Sequence, residues 1–479
     1  MSQMLPPHNS IPDLHDEMPD DLPVAIIGAG PIGLAAAAHL ASRDEPFILL
    51  EAGPTAATSI REWAHVRLFT PWRYNVDTVA TDLLQQTDWM MPDPDSFPTG
   101  AELVDAYLDP LSHHPAIAPS IRYGHRVVAI ARDTIGKLEE DREDHPFVVQ
   151  VELIDGTSTL IPAWAVIDAS GCWEHPNPLG SNGLQIPGER ALQEHILYRV
   201  PDIRGCERER YRGKRVLVAG SGHSALNALQ DLEILAEEDS ATKPFWAIRR
   251  DTTEGALDGC DDGRLTERTL LKRDVREMTR NGAIATLNGI RLTHLERTPE
   301  GIVAFAGDRA LPPVDEIVAA TGFRPDHGME RELRLDVQSV YESTYALAPL
   351  IDPDANACGT VPPHGVQQLA HPEPDFYVVG MKSYGRAPAF LMLTGYEQVR
   401  SVVCAIVGDE EALEVKLVLP EKGLCAACTT FLEEREQSAS TTTCSCGDEE
   451  DGDFDAECCT VDVGVDVDVE DLHSAPVMT

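Results

Sequence analysis

A glycine turn joining an apolar strand to an alanine-rich or leucine-rich helix occurs twice in this chain, and it restricts the fold more than any other feature. In the first copy Val24-Ala25-Ile26-Ile27 runs into Gly28-Ala29-Gly30-Pro31-Ile32-Gly33, then into Leu34 to Ser42, then into the apolar segment Phe47 to Leu50 ending at Glu51. That order is strand, turn, helix, strand. In a G-x-G-x-x-G turn so placed, Gly28 permits the tight bend, Gly30 lets a pyrophosphate approach the backbone, and Gly33 lets the helix lie close on the strand. Free N–H groups and the dipole at the helix start then favour an anion. Glu51 stands 18 residues beyond Gly33, where a carboxylate accepts hydrogen bonds from a ribose diol. Pro31 and Ile32 in the turn and Ala52 after Glu51 belong to the same expected dinucleotide contact.

The second copy begins at Arg215, with Val216-Leu217-Val218-Ala219, the turn Gly220-Ser221-Gly222-His223-Ser224-Ala225, a helix from Ala225 to Leu235 and a strand from Phe245 to Ile248. Ala225 replaces the third glycine, which the helix–strand contact tolerates. The second strand ends in Arg249-Arg250 rather than in an acid. A carboxylate there would repel a 2′-phosphate, whereas guanidinium grips it bidentately, so the pair favours NADPH over NADH. Gly220, Ser221, Gly222, His223, Ser224, Arg249 and Arg250 are therefore the candidate contacts of a second dinucleotide. The implied class is α/β, with two Rossmann-like three-layer domains.

A chain of 479 residues has room for both domains and a large core. Its 80 Asp plus Glu against 38 Lys plus Arg give a net charge of −42, which repels nucleic acid and anionic membranes. The most apolar long helix candidate, Pro388 to Val407, is interrupted by Glu397 and Arg400, so no membrane span is expected. Residues 1–23 are rich in Pro and acid, without the basic start and apolar run of a signal peptide, and are expected to be a disordered leader. The expected location is cytoplasmic, where the eleven cysteines meet a reducing environment.

Further segments resemble the two-dinucleotide flavoproteins, and among them the flavin-containing monooxygenase-like branch, across roughly residues 24 to 410. Ile167-Asp168-Ala169-Ser170-Gly171, followed by Pro176 and Pro178, is similar to that family's first crossover. Asp315 to Pro325, with Ala320-Thr321-Gly322-Phe323-Arg324-Pro325, is very similar to its ATG-[FY]-x-P motif. Phe376-Tyr377-Val378-Val379-Gly380 resembles the strand that reaches the flavin. Met381 follows where many relatives carry an acid, a departure that points away from thioredoxin reductase-like enzymes. Trp63 to Asp77 is similar to the segment beneath the isoalloxazine ring. The resemblance implies cofactor contacts at Trp63, Arg67, Thr321, Gly322 and Gly380, and polar contacts near the flavin at Thr70 and Asn75, the candidate catalytic residues. It also implies FAD and NADPH as cofactors, with the NADPH domain inserted into a discontinuous FAD domain: residues 24–185 and 306–420 for FAD and 186–305 for NAD(P)H. From Glu421 the composition changes to Cys, Ser, Thr and acid, which suggests an appended tail over 421–479. The family's F-x-G-x-x-x-H fingerprint is not reproduced, since His195 follows Ile186-Pro187-Gly188 at the wrong spacing.

Disulfide reductases of related fold carry a cysteine pair soon after the first βαβ unit or in the NADPH domain. Here Cys172 is the first cysteine, and Cys206 and Cys260 are isolated. The chemistry left is hydride transfer from NADPH to flavin, then reaction with molecular oxygen through a C4a-hydroperoxide that oxygenates a small nucleophile at N, S or a metalloid. Six cysteines crowd the tail: Cys425, Cys428, Cys444, Cys446, Cys458 and Cys459. Thiolates so close chelate soft metals or metalloids, or relay electrons as dithiols, and a disordered acidic tail fits the same composition. A reductase or detoxifying flavoprotein that uses these thiols, and a redox-sensing dinucleotide-binding protein, are the alternative functions. A homodimer is left open.

Overall fold

The computed structural model describes residues 22–257, 267–353, 355–356, 361–387 and 390–419. The leader to residue 21, Cys260, Pro388 and the six tail cysteines therefore lie outside the described residues.

The first sheet has five parallel strands in the order Phe376–Val378, Ala165–Asp168, Val24–Ile27, Phe47–Glu51, Ile121–Tyr123. Its central strand is apolar throughout because both faces are covered. Val24 and Ile26 pack with helices Pro31–Ala41 and Met392–Ile406, through residues such as Leu34, Ala38 and Val399. Ala25 and Ile27 point the other way, onto Ile130, Phe147, Val149 and Val151 of a three-stranded antiparallel layer, His125–Arg132, Phe147–Leu153 and Ser158–Ala163.

The second sheet repeats this arrangement. Its parallel order is Ala285–Leu287, Lys243–Ala247, Arg215–Ala219, Glu316–Ala319, Ile196–Leu197. Val216 and Val218 meet helices His223–Glu238 and Glu267–Arg280. Leu217 and Ala219 meet Leu295, Ile302 and Ala304 of a second antiparallel layer. The alternation has period 2 in both sheets, as a strand pleat requires. The fold is thus two three-layer α/β domains, and the second interrupts the first between Asp168 and Phe376.

Two boundaries differ from expectation. Glu316–Ala319 pairs with Arg215–Ala219 over Glu316↔Val216 to Ala319↔Ala219, so the inserted domain runs past residue 305 and the chain crosses back after Ala319. An apolar strand buried on both faces reads alike in either sheet, and only the pairing separates them. The last helix starts at Met392, with Leu391 as its N-cap. Helix Glu267–Arg280 escaped sequence reading because it buries only Leu271 and Val275 fully, a stripe too sparse to register. Among the described residues no helix is long and apolar enough to cross a membrane.

Candidate functional site

The first glycine turn has the geometry its spacing implies. Gly28 sits at φ +95°, and a Cβ there would lie 2.9 Å from the Ala169 carbonyl oxygen, on the neighbouring strand's exit. A Cβ on Gly33 would lie 1.9 Å from the Gly28 carbonyl oxygen. Gly30 is different: its Cβ position meets nothing within 4 Å, and it is the N-cap of Pro31–Ala41 with no side-chain cap. The helix start is therefore open to an outside acceptor. Glu51 Oε2 accepts from the Ala29 N–H at 2.7 Å and Oε1 from the Gly53 N–H at 2.7 Å. Burial pushes this carboxyl up from its ordinary value, against the lowering effect of those two amides.

These groups open on a cavity of about 910 Å3. Of the expected residues, Gly28, Gly30, Pro31, Ile32, Glu51, Ala52, Trp63, Arg67, Thr70 and Gly380 line it. Gly33 does not; its part is packing. Asn75 also does not reach it. The Asn75 side chain is wholly buried and fully engaged, donating to the Thr70 and Pro71 carbonyl oxygens at 2.7 and 3.1 Å and accepting from Thr70 Oγ1 at 2.7 Å. It shapes the turn that presents Thr70, and a direct role near a cofactor is corrected to that one. Asn75→Ala should accordingly cost about 2 kcal/mol of stability through unsatisfied buried groups. Chemical denaturation with and without added flavin would show it: a loss of flavin affinity with unchanged stability would contradict the assignment.

Thr321 and Gly322 are likewise outside the cavity. Thr321 Oγ1 donates to the Asn177 carbonyl oxygen, the Asn177 N–H donates to the Gly322 carbonyl oxygen at 2.8 Å, and Pro176 bridges Phe323 antiparallel. The ATG-F-x-P segment is thus one strand of a double strap where the chain leaves and re-enters the first domain. Its contact with the cavity is Phe323, whose ring stacks on Trp173 at 4.9 Å.

Sequence reading missed other cavity residues, including Arg126, Cys172, Trp173, Arg268 and Lys382. Lys382 is one of only seven lysines in the chain, and it directly follows Met381, where the expected acid is absent. That was the available signal. Its Nζ lies 2.6 Å from Asp168 Oδ2 and 2.5 Å from Glu330 Oε1, all three side chains being buried.

The second turn has parallel geometry. Gly220 lies at φ +135°, with a Cβ position 2.1 Å from the Ala320 carbonyl oxygen, while the Cβ position of Gly222 is open. Helix His223–Glu238 starts there without a side-chain cap. Ser221 and Gly222 are exposed, as are Arg249 and Arg250 just beyond Lys243–Ala247, and Ser224 is half-buried in the first turn of the helix. The His223 ring packs on Phe69 at 4.8 Å, and burial, reinforced by Arg268 and Lys272, pushes its pKa down to about 3. His223 is therefore a neutral group at the helix start. Among the described residues no group of three or more His, Cys, Asp or Glu side chains could hold a metal ion.

Residues 25–346 match the family model described as pyridine nucleotide-disulphide oxidoreductase. A curated relative, indole-3-pyruvate monooxygenase YUCCA1 of Oryza sativa subsp. japonica, is 28% identical over 209 residues, which are 43% of this chain and 44% of that protein. The chain thus matches less than half the length of this relative. Among solved structures, bacillithiol disulfide reductase from Bacillus cereus has a TM-score of 0.58 at 16% identity, covering 81% of this chain and 99% of that one. The FAD-bound cadaverine monooxygenase DfoA from Erwinia amylovora has a TM-score of 0.57 at 14% identity, covering 83% and 97%. These similarities to solved structures concern the fold, and the family match rests on the chain's own sequence. With a model that spans both glycine turns and the strap between them, the chain belongs to the pyridine nucleotide-disulphide oxidoreductase family.

Proposed function

We propose that the protein is an FAD-dependent monooxygenase that takes reducing equivalents from NADPH and oxygenates a small soft nucleophile at N, S or a metalloid. The observation that carries this reading is the cavity. It extends from an open helix N-terminus past Thr70 to Gly380 and Lys382, and among the described residues Cys172 is the one thiol on its wall. Burial pushes that thiol up to about 12. A protonated thiol is a poor nucleophile, so Cys172 favours oxygen chemistry over disulfide exchange at its place on the wall.

The residues present fit an FAD. The backbone amides around Gly28 to Gly33 and the Glu51 carboxylate suit the adenosine diphosphate half. Trp63, Arg67, Thr70 and the Gly380–Lys382 segment line the remaining space. A bound flavin supplies hydride acceptance and oxygen activation. The chain itself orients the cofactor, keeps apolar walls at Leu68, Phe69 and Met392 against water, and holds a buried ammonium at Lys382. Comparison with the monooxygenases named above supports the reading, while the substrate is assigned only by class.

The test is anaerobic reduction of the purified protein by NADPH, followed by a pulse of isotopically labelled oxygen with a thiol, an amine or trivalent arsenic present. One labelled oxygen in the product is expected. Formation of hydrogen peroxide alone, or reduction of a disulfide instead, would overturn the proposal, and the second outcome would turn attention to the tail cysteines.

The second turn carries the nucleotide choice in this reading. Arg249→Gln with Arg250→Gln removes two charge-assisted contacts worth roughly 1.5–3 kcal/mol each at most. The KM for NADPH should rise about 10- to 100-fold while that for NADH stays nearly constant. Equal weakening of both nucleotides would show that the two arginines do not read the 2′-phosphate.

A further inference from the structure

Four ionisable side chains from three parts of the chain meet beside the cavity. Lys382 Nζ donates to Asp168 Oδ2 and Glu330 Oε1. Glu330 Oε2 lies 2.6 Å from His327 Nδ1, and Asp168 Oδ1 accepts from the Ser170 N–H at 2.9 Å. Lys382, Asp168 and Glu330 are 2%, 0% and 0% exposed, whereas the His327 side chain is 24% exposed. The set is thus a buried line that runs from His327, whose ring is partly exposed while its Nε2 is buried, to Lys382 on the cavity wall.

A second chamber, of about 10 Å3, lies beyond it, lined by His327, His371, Ser343, Thr344 and Lys382 among others. That is the room of about one water molecule. Lys382 borders both chambers. His327 and His371 each have a buried Nε2 with no hydrogen-bond partner, while His371 Nδ1 accepts from the Asp336 N–H at 3.1 Å.

Charge balance favours uptake of one proton here. With His327 neutral the line carries one cation against two carboxylates, an unbalanced charge in a region where that is costly. Burial and Asp168 push Glu330 up from its ordinary value. Burial opposes charge on His327, but the Glu330 contact outweighs it and raises the imidazole. Lys382 resists the same burial because Asp168 and Glu330 hold it charged. The other groups facing the line are Cys172 and Glu342, with Glu342 paired to Arg386 at 2.8 Å, and His371 with Asp336. A merely structural lock needs no titrating member at its exposed end, and apolar residues would serve as well.

We propose that His327 and Glu330 form a proton relay that refills Lys382, which delivers protons to the large cavity. The inference rests on the monooxygenase reading, in which NADPH, oxygen, a substrate and one proton give NADP+, water and the oxygenated product. That proton must enter from solvent. As an acceptor in the cavity takes a proton from Lys382 Nζ, Glu330 returns one to Nζ, His327 Nδ1 returns one to Glu330, and His327 Nε2 is reprotonated from the small chamber. Each N–H or O–H bond broken is matched by one formed, and no electron moves along the line.

Holoprotein carrying His327→Asn or Glu330→Gln tests it. Asparagine keeps a donor toward Glu330 but carries no proton, and glutamine is isosteric with Glu330. Flavin content is measured first, because wild-type protein without flavin would count against the functional reading rather than against the relay. Histidine NMR of the wild-type chain should show His327 titrating above 6.5, and lower in the Glu330→Gln chain. In both variants NADPH oxidation near neutral pH should slow about 10- to 100-fold, with the pH profile flattened and the solvent isotope effect changed. Variants that keep flavin and the wild-type pH profile overturn the relay. If they lose flavin, the wild-type titration stands alone, and a His327 value at or below 6.5 overturns it.

Discussion

Valine at position 30 is expected to give a folded chain that purifies without flavin. Gly30 has φ −79° and ψ −173°, ordinary extended backbone that any residue adopts, and its Cβ position meets no atom within 4 Å. Among the described residues nothing therefore resists a Cβ there. The valine methyl groups would instead stand in the approach to the free N–H groups of helix Pro31–Ala41. Losing two charge-assisted hydrogen bonds to phosphate, at about 1.5–3 kcal/mol each, weakens binding by roughly 100-fold or more. The contrast is Gly33→Val, whose Cβ would lie 1.9 Å from the Gly28 carbonyl oxygen. That variant should fail to fold. Visible flavin absorbance and a thermal melt separate the two outcomes, and a Gly30→Val protein with full flavin content would place the phosphates elsewhere.

The second large effect is on stability. Glu373 joins the antiparallel layer of the first domain to its last strand: Oε1 accepts from Arg132 Nε at 2.8 Å, and Oε2 from Arg142 Nη2 at 2.9 Å and from the Arg334 N–H at 3.0 Å. All three charged side chains are at least 96% buried. Glu373→Gln leaves two buried guanidinium groups without their anion, which should cost about 3–5 kcal/mol. The effect has a pH signature. Burial pushes the Glu373 carboxyl up, but Arg132, Arg142 and the Arg334 amide outweigh it and hold it below its ordinary value of 4.5. A depressed native pKa gives stability that is fully present above the unfolded value and is lost as pH falls through the native one. The gap between wild type and Glu373→Gln, read from denaturant midpoints, should therefore be widest near neutrality and shrink below pH 4.5. A gap independent of pH would mean that the carboxylate charge is not what stabilises the layer.

How much of this was legible in the sequence follows from the range over which each signal acts. The glycine turns were, because their G-x-G spacing between strand and helix is a local pattern, even though Gly28 and Gly220 answer the distant Ala169 and Ala320 carbonyls and only Gly33 a neighbour, Gly28. The apolar strands Val24–Ile27 and Arg215–Ala219 were, because continuous hydrophobic runs mark strands covered on both faces. The sheet that owns Glu316–Ala319 was not, since pairing leaves no trace in an apolar run. Asn75 had the right type and the right neighbourhood, yet its hydrogen bonds turn inward to Thr70 and Pro71. Thr321 and Gly322 had a recognisable motif whose present contacts are with Asn177. The line from His327 through Glu330 to Lys382 and Asp168 spans 214 residues between its two most distant members, and no local pattern announces it. Contacts of that reach come only from the folded chain.

The most direct measurement of the account is anaerobic addition of NADPH to the full chain as purified, following flavin absorbance and the bound flavin per chain. One FAD per chain, bleached faster by NADPH than by NADH, is the predicted result. A chain that binds no flavin when FAD is supplied, or one whose flavin NADPH leaves oxidised, would contradict it.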